Sequence, residues 1–102
     1  MASQPESRVK VRFFNKLRAA CPGVFFDKIQ QRGKRNSLDV YICWASKFVA
    51  VELKRDKKEK PKKGQLEKAR QIERAGGLTF VVHDENLDQV VQEIRRLDVE
   101  SS

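Results

Sequence analysis

Three segments of the chain have apolar residues at every third or fourth position, the spacing of one face of a helix. The first runs from Val9 to Cys21, and the Pro-Gly pair at 22–23 ends it, because the residue before a proline avoids helical angles. The second covers residues 65–75 and is followed by two glycines, and the third covers residues 87–97. The pattern therefore predicts three amphipathic helices.

The other apolar positions form short, nearly continuous runs of β type at residues 24–29, 38–44, 48–54 and 78–82. Only a short turn separates the second run from the third, so we expect them to form an antiparallel hairpin. The fourth run follows a helix, and a right-handed crossover would make it parallel to its neighbour. The predicted α/β order is αβββαβα, a mixed four-stranded sheet flanked by helices. Continuous apolar runs also favour a sheet that is covered on both faces.

At 102 residues the chain is expected to form a single domain over residues 1–102, with its core at about 6–97. The formal net charge of +8 favours a polyanionic partner such as nucleic acid. No apolar run approaches the ~18 residues of a membrane span, and the N-terminal residues lack a secretory pattern, so we expect a cytoplasmic protein without a membrane partner. Cys21 and Cys43 are expected to be small buried thiols.

Two charged residues interrupt the apolar pattern at the end of the third predicted strand. Glu52 and Lys54 are two positions apart, so their side chains point to the same face of the sheet whatever the register. Asp39, near the start of the second predicted strand, joins them only if the hairpin loop has an even number of residues or the strand contains a bulge. A loop of residues 45–46 alone would place Asp39 opposite Glu52, whereas an odd loop would turn it to the other face.

With an even loop, these side chains would form a site for a divalent cation. Asp39 and Glu52 offer the hard oxygen ligands that Mg²⁺ and Mn²⁺ prefer, and the backbone carbonyl of Leu53 can add a third. Such a metal acidifies a bound water, and Lys54 can hold that water or stabilise the transition state of phosphodiester cleavage. A second metal would need a further acid, for which Glu6 is the candidate. Two simpler explanations stay open: Glu6 has capping-box spacing, and Lys54 could pair with Glu52 at a solvated rim.

The segment of residues 54–63 carries seven basic and two acidic residues and follows the predicted site directly. It is either a solvated loop or a clamp for phosphates, joined by cations in the loop before Asp39. The residues of the two loops expected to contact phosphates are Arg32, Lys34, Arg35, Arg55, Lys57, Lys58, Lys60, Lys62 and Lys63. No recognition helix or aromatic-rich sheet face is evident, and Tyr41 and Trp44 are expected in the core. Cleavage selected by the structure of the nucleic acid is therefore favoured over cleavage selected by its sequence.

The ordered set of motifs resembles the PD-(D/E)XK nuclease superfamily, whose fold is restriction-endonuclease-like, and within it the VRR-NUC branch. That branch has a Pro-Gly-Val segment leading into a strand with a lysine, here residues 22–28, and a Gly-x-Pro-Asp motif, here Asn-Ser-Leu-Asp at 36–39. Its hydrophobic hairpin ends in Glu-x-Lys, here residues 52–54, and a glutamine begins the next helix, here Gln65. A glycine-ended helix and a valine-rich strand follow, here at 75–82. Asparagine and leucine replace the glycine and the proline of the second motif, while its acid is kept.

This resemblance implies a divalent-metal-dependent endodeoxyribonuclease that uses Mg²⁺ or Mn²⁺ and cleaves branched or otherwise structured DNA, such as a Holliday junction. The site that it implies is lined by Glu6, Asp39, Glu52, Lys54 and Gln65. Lys28 is implied as an accessory contact to DNA. Stand-alone domains of this size look phage-like, which implies work in the host cytoplasm, and we expect a homodimer that cuts two strands. Two alternatives stay open: a non-catalytic basic nucleic-acid-binding module, and a nuclease subunit that is active only in a larger DNA repair or packaging complex.

Overall fold

Three helices and four strands make up the fold in the computed structural model, which describes residues 5–29 and 38–100. Their bounds are α1 Pro5–Ala20, β1 Phe25–Lys28, β2 Val40–Trp44, β3 Lys47–Leu53, α2 Lys63–Arg74, β4 Leu78–Val82 and α3 Leu87–Glu100. This is the predicted order, with a shorter first strand and a longer last helix than the hydrophobic pattern indicated. No helix in the two described ranges is long and apolar enough to cross a membrane.

The four strands form one mixed sheet in the spatial order β1-β2-β3-β4. β2 pairs antiparallel with both β1 and β3, whereas β3 and β4 are parallel because α2 carries the chain back along the sheet. α1 and α3 pack against each other on one face, and α2 packs against β4 on the other. The predicted mixed sheet flanked by helices is therefore confirmed.

A two-residue turn joins β2 to β3 and sets the register of the hairpin. Ala45 and Ser46 have φ values of 57° and 65°, the left-handed conformations of a type I′ turn, whose twist matches that of the flanking strands. The strands pair directly outside this turn, so the loop is even. The even loop is the condition that brings Asp39 and Glu52 to one face.

The same turn offers a gain in stability. A residue with a Cβ atom is disfavoured in the left-handed region by roughly 1 kcal/mol, and glycine is preferred at the second turn position. We expect Ser46→Gly to raise the free energy of unfolding by about 1 kcal/mol in urea denaturation. Ser46→Ala keeps the Cβ atom and is the matched control, which should leave the stability close to that of the wild type. A destabilised Ser46→Gly variant would contradict the type I′ assignment.

The hydrophobic core lies between the α1 and α3 layer and the sheet. Its buried members are Val9, Phe13, Leu17, Cys21, Val40, Ile42, Val49, Val51, Leu53, Val82, Leu87, Val90, Val91, Ile94 and Leu97. Trp44 packs against this cluster from the end of β2 and donates its indole N–H to the Arg95 carbonyl at 3.5 Å. The thiol of Cys21 is buried, as predicted.

The opposite face is only partly covered, so the expectation of a sheet buried on both sides is wrong. Phe25 on β1 is 63% exposed and Phe48 on β3 is 43% exposed. Cys43 lies between them and is exposed, so the prediction of a buried thiol is wrong at this position. The apolar runs are continuous in sequence, but they do not specify how far α2 extends across the sheet.

Candidate active site

Asp39 immediately precedes β2 and lies across from residues 51–53 at the end of β3, because Val40, the first residue of β2, pairs with Val51. The Asp39 N–H donates to the Val51 carbonyl at 3.0 Å, and Asp39 Oδ2 accepts the Leu53 N–H at 2.7 Å. The side chain thus takes the place of a strand carbonyl as a partner of β3. Because the N–H and C=O of a strand residue point toward the same neighbouring strand, the Leu53 carbonyl is also directed to the Asp39 side.

Glu52 is at the centre of a buried polar cluster. Among the residues that the structure describes, the buried polar or charged side chains are Glu52, Lys54 and Gln65, at 4%, 9% and 8% exposure. Gln65 Nε2 donates to Glu52 Oε2 at 2.6 Å, and Lys54 Nζ lies 3.2 Å from the same oxygen. Glu52 Oε1 is buried and has no hydrogen-bond partner in the described part of the chain. A buried carboxylate oxygen without a donor is costly, so this atom fits the role of a cation ligand.

The electrostatic surroundings of Glu52 also favour a cation. Burial raises the pKa of Glu52 to about 7, and the negative charge of Asp39 adds to this increase against the opposing effects of Lys54 and Gln65. A divalent cation between the two carboxylates would neutralise this repulsion. The donor set is made of oxygens, which suits the hard cations Mg²⁺ and Mn²⁺.

Gln65 is held in place by the start of α2. Its side-chain Oε1 accepts the Lys62 backbone N–H at 2.9 Å, which leaves Nε2 directed at Glu52. Gln65 is therefore the third residue of α2 and not the first, because its side chain satisfies a backbone donor at the helix start. Lys54 is positioned from the sheet, since its own N–H donates to the Val82 carbonyl of β4 at 2.8 Å.

The other residues predicted to bind the metal or DNA lie away from this cluster or outside the residues that the structure describes. Glu6 belongs to α1, but its side chain is outside the described residues. In the described ranges, no group of three or more His, Cys, Asp or Glu side chains could hold a metal. Lys28 is exposed and pairs with Val40, so it points to the face opposite Asp39. Arg32, Lys34 and Arg35 lie outside the described residues.

The basic segment, residues 55–63, connects the strand that carries Glu52 to the helix that carries Gln65. Its six predicted phosphate contacts are all exposed: Arg55, Lys57, Lys58, Lys60, Lys62 and Lys63. Arg55 and Lys57 each pair with a glutamate at 3.5 Å. The other four lysines have no acidic partner among the described residues, so their charge is available to an anion beside the cluster.

Two backbone groups of the cluster were not predicted. They are the Leu53 N–H that binds Asp39 and the Lys62 N–H that binds Gln65. The second has a signal in the sequence, because a glutamine three residues after the last loop residue has the spacing of a capping interaction. The first depends on the register of the hairpin and has no such signal.

A mixed sheet flanked by helices, with an acid just before one strand and Glu-x-Lys at the end of the next, is consistent with the restriction-endonuclease-like class of fold. Comparison with solved structures finds one described as a VRR_NUC domain, with a TM-score of 0.74 and 21% sequence identity, covering 88% of this chain and 97% of that chain. Comparisons with models of protein families and with curated proteins gave no match. The predicted resemblance to VRR-NUC domains is thus confirmed as a shared fold.

Proposed function

We propose that this protein is a divalent-metal-dependent nuclease that hydrolyses phosphodiester bonds in DNA. The observation that carries the proposal is the difference between the two oxygens of Glu52. Oε2 contacts Lys54 and Gln65, whereas Oε1 is buried without a partner among the described residues, and the charge of Asp39 is near enough to raise the pKa of Glu52. Two carboxylates with one unsatisfied buried oxygen are suited to bind a cation. The fold shared with a VRR_NUC domain supports DNA as the substrate.

Each residue of the cluster has a role in this mechanism. Asp39 and Glu52 would hold Mg²⁺ or Mn²⁺, with the Leu53 backbone carbonyl as a further ligand. The metal, when bound, supplies an acidified water and neutralises charge on the scissile phosphate. Lys54, whose ammonium lies 3.2 Å from Glu52, holds the attacking water or stabilises the negative charge of the transition state. Gln65 keeps Glu52 in position, and Glu6 is the candidate for one more ligand.

The substrate that we propose is branched or otherwise structured DNA, such as a Holliday junction met in repair or in phage replication. Exposed lysines of the basic segment contact phosphates, which positions DNA without reading its sequence. Arg32, Lys34 and Arg35 are proposed to extend this contact, whereas Lys28 points to the other face of the sheet and is not part of it. A homodimer would supply two sites, one for each strand. We propose that it works in the cytoplasm, which would be the cytoplasm of the host if the protein comes from a phage.

A panel of DNA substrates tests this function. Flaps, splayed arms, four-way junctions and plain duplex are each incubated with the protein and Mg²⁺, Mn²⁺ or EDTA. We expect cleavage of the branched forms with either metal and none in EDTA. If no substrate is cleaved and calorimetry detects no Mn²⁺ binding, the metal site is wrong and a non-catalytic binding module explains the basic surface better.

The affinity for DNA should fall steeply with salt. If about six cations contact phosphates, the log–log slope of the association constant against salt is roughly −5. Changing the four unpaired lysines to glutamine should reduce the slope to about −2, because each lost contact removes about 0.9. These lysines are Lys58, Lys60, Lys62 and Lys63. Fluorescence anisotropy in EDTA at several NaCl concentrations measures the slope without cleavage.

The matched control removes the same charge from the α1 and α3 side of the molecule. It changes four exposed arginines to glutamine: Arg8, Arg12, Arg95 and Arg96. Its slope should stay near that of the wild type. Equal losses of slope in the two variants would show that net charge, and not the basic segment, governs binding.

A further inference from the structure

The uncovered part of the sheet, on the side that carries the candidate site, presents three aromatic rings. Phe25 pairs with Cys43 and Cys43 pairs with Phe48, so these three side chains form one row across β1, β2 and β3. Tyr41 precedes Cys43 by two residues and points to the same side, because the alternate residues of β2 point into the core. We call Phe25, Tyr41 and Phe48 the aromatic face.

The aromatic face is continuous with the candidate site. Tyr41 is two residues from Asp39 on one strand, about 7 Å along it, and Phe48 is four residues from Glu52, about 13 Å along the next strand. The rings of Tyr41 and Phe48 meet edge to face, with their centroids 5.1 Å apart. The rings therefore extend from the carboxylate pair toward the far end of the sheet.

The composition of this region matches a surface for single-stranded nucleic acid. Phe25 is largely exposed, Phe48 is 43% exposed, and Tyr41 is half-buried. Single exposed apolar residues are ordinary, but here three rings lie on one side of neighbouring strands, and the candidate site separates them from an exposed basic segment. Proteins bind unpaired strands by stacking bases on aromatic rings while cations hold the phosphates.

A second copy of the chain fits the aromatic face less well than single-stranded nucleic acid does. A whole aromatic side chain buries about 150–250 Å², so the exposed parts of these rings amount to roughly 300 Å² at most. A stable protein interface needs about 800 Å² on each partner. The net charge of +8 attracts a polyanion.

We propose that the aromatic face binds unpaired DNA bases beside the phosphodiester bond that the site cleaves. This inference rests on the proposed function and narrows its substrate to DNA in which a single-stranded stretch adjoins a duplex. Bases inside an intact duplex are paired and already stacked, so they cannot reach these rings. The aromatic face would thereby select splayed or flapped strands over plain duplex.

Binding measured in EDTA tests stacking separately from cleavage. Phe25→Thr and Phe48→Thr remove a ring but keep a residue that strands favour. We expect each change to weaken binding of a single-stranded oligonucleotide about 10-fold, a typical effect of losing one stacked base, with little change in duplex affinity. Phe25→Trp should restore binding. Val11→Thr, at a 55% exposed position on α1, is the matched control and should leave both affinities unchanged.

The outcomes separate this inference from the proposed function. Unchanged single-strand affinity in both threonine variants would overturn stacking even if the wild type cleaves branched DNA. Weakened single-strand binding in a protein without nuclease activity would support the aromatic face and contradict only the proposed function. Sedimentation of the same variants tests whether a second copy of the chain occupies the aromatic face instead. A wild-type dimer that becomes a monomer in Phe25→Thr would overturn the proposal in favour of a second copy of the chain.

Discussion

Asp39→Asn and Glu52→Gln should each lower metal-dependent cleavage of a branched substrate by about 10²–10³-fold or more. Each substitution keeps the shape of the side chain but removes one of the two charges proposed to hold the cation. In the wild type, the Leu53 N–H donates to the Asp39 carboxylate at 2.7 Å. The amide oxygen of Asn at position 39 can still accept this hydrogen bond, so the hairpin should persist. Initial rates in Mn²⁺ measure the loss, and calorimetry should show a matching loss of Mn²⁺ affinity.

Two further variants make this test specific. Glu67→Gln neutralises an exposed carboxylate on α2 and should cleave like the wild type. Lys54→Gln keeps both carboxylates, so it should retain Mn²⁺ while its cleavage rate falls by a comparable factor. Full activity in Asp39→Asn would contradict the metal site, and full activity in Lys54→Gln would contradict a role for its ammonium group.

The two charges at the end of β3 could be placed from the sequence, whereas the opposite acid could not. Glu52 and Lys54 share a face because side chains alternate along any strand, and this holds in every register. The position of Asp39 depends on whether the hairpin loop is even or odd. Residues 45–46 contain neither glycine nor asparagine, which usually mark a two-residue turn with positive φ, so nothing local indicated the length of this loop.

Coverage of the sheet was harder to predict because it depends on contacts between whole elements. The apolar runs at 24–29 and 38–44 both favoured burial on two faces. The chain between α2 and β4 passes close to β3, where a Cβ atom on Gly77 would lie 3.2 Å from Phe48. α2 contacts β4, and Phe25 on β1 stays 63% exposed. Hydrophobic periodicity describes the apolar side of each element but does not record such a contact between two of them.

The metal-free protein should lose stability as the pH rises from about 4.5 to about 7. Burial, together with the charge of Asp39, raises the pKa of Glu52 from 4.5 to about 7, so in this window the folded protein keeps a proton that the unfolded chain has released. The state that binds more protons is favoured at low pH. The stabilisation is therefore fully present below about pH 4.5 and is lost as the pH passes about 7. The shift corresponds to roughly 3 kcal/mol.

Glu52→Gln has no titrating group at this position. In EDTA, the difference in free energy of unfolding between Glu52→Gln and the wild type should therefore shift by roughly 3 kcal/mol in favour of the variant from about pH 4.5 to pH 8. Urea denaturation across this range measures the difference, with Glu67→Gln expected to parallel the wild type. A constant difference between Glu52→Gln and the wild type would contradict the raised pKa. Adding Mn²⁺ at about pH 8 should then stabilise the wild type far more than Glu52→Gln, because binding to the folded state adds to its stability. The charge that destabilises the free fold is the one proposed to hold the cation, so stability and activity make opposite demands on this residue.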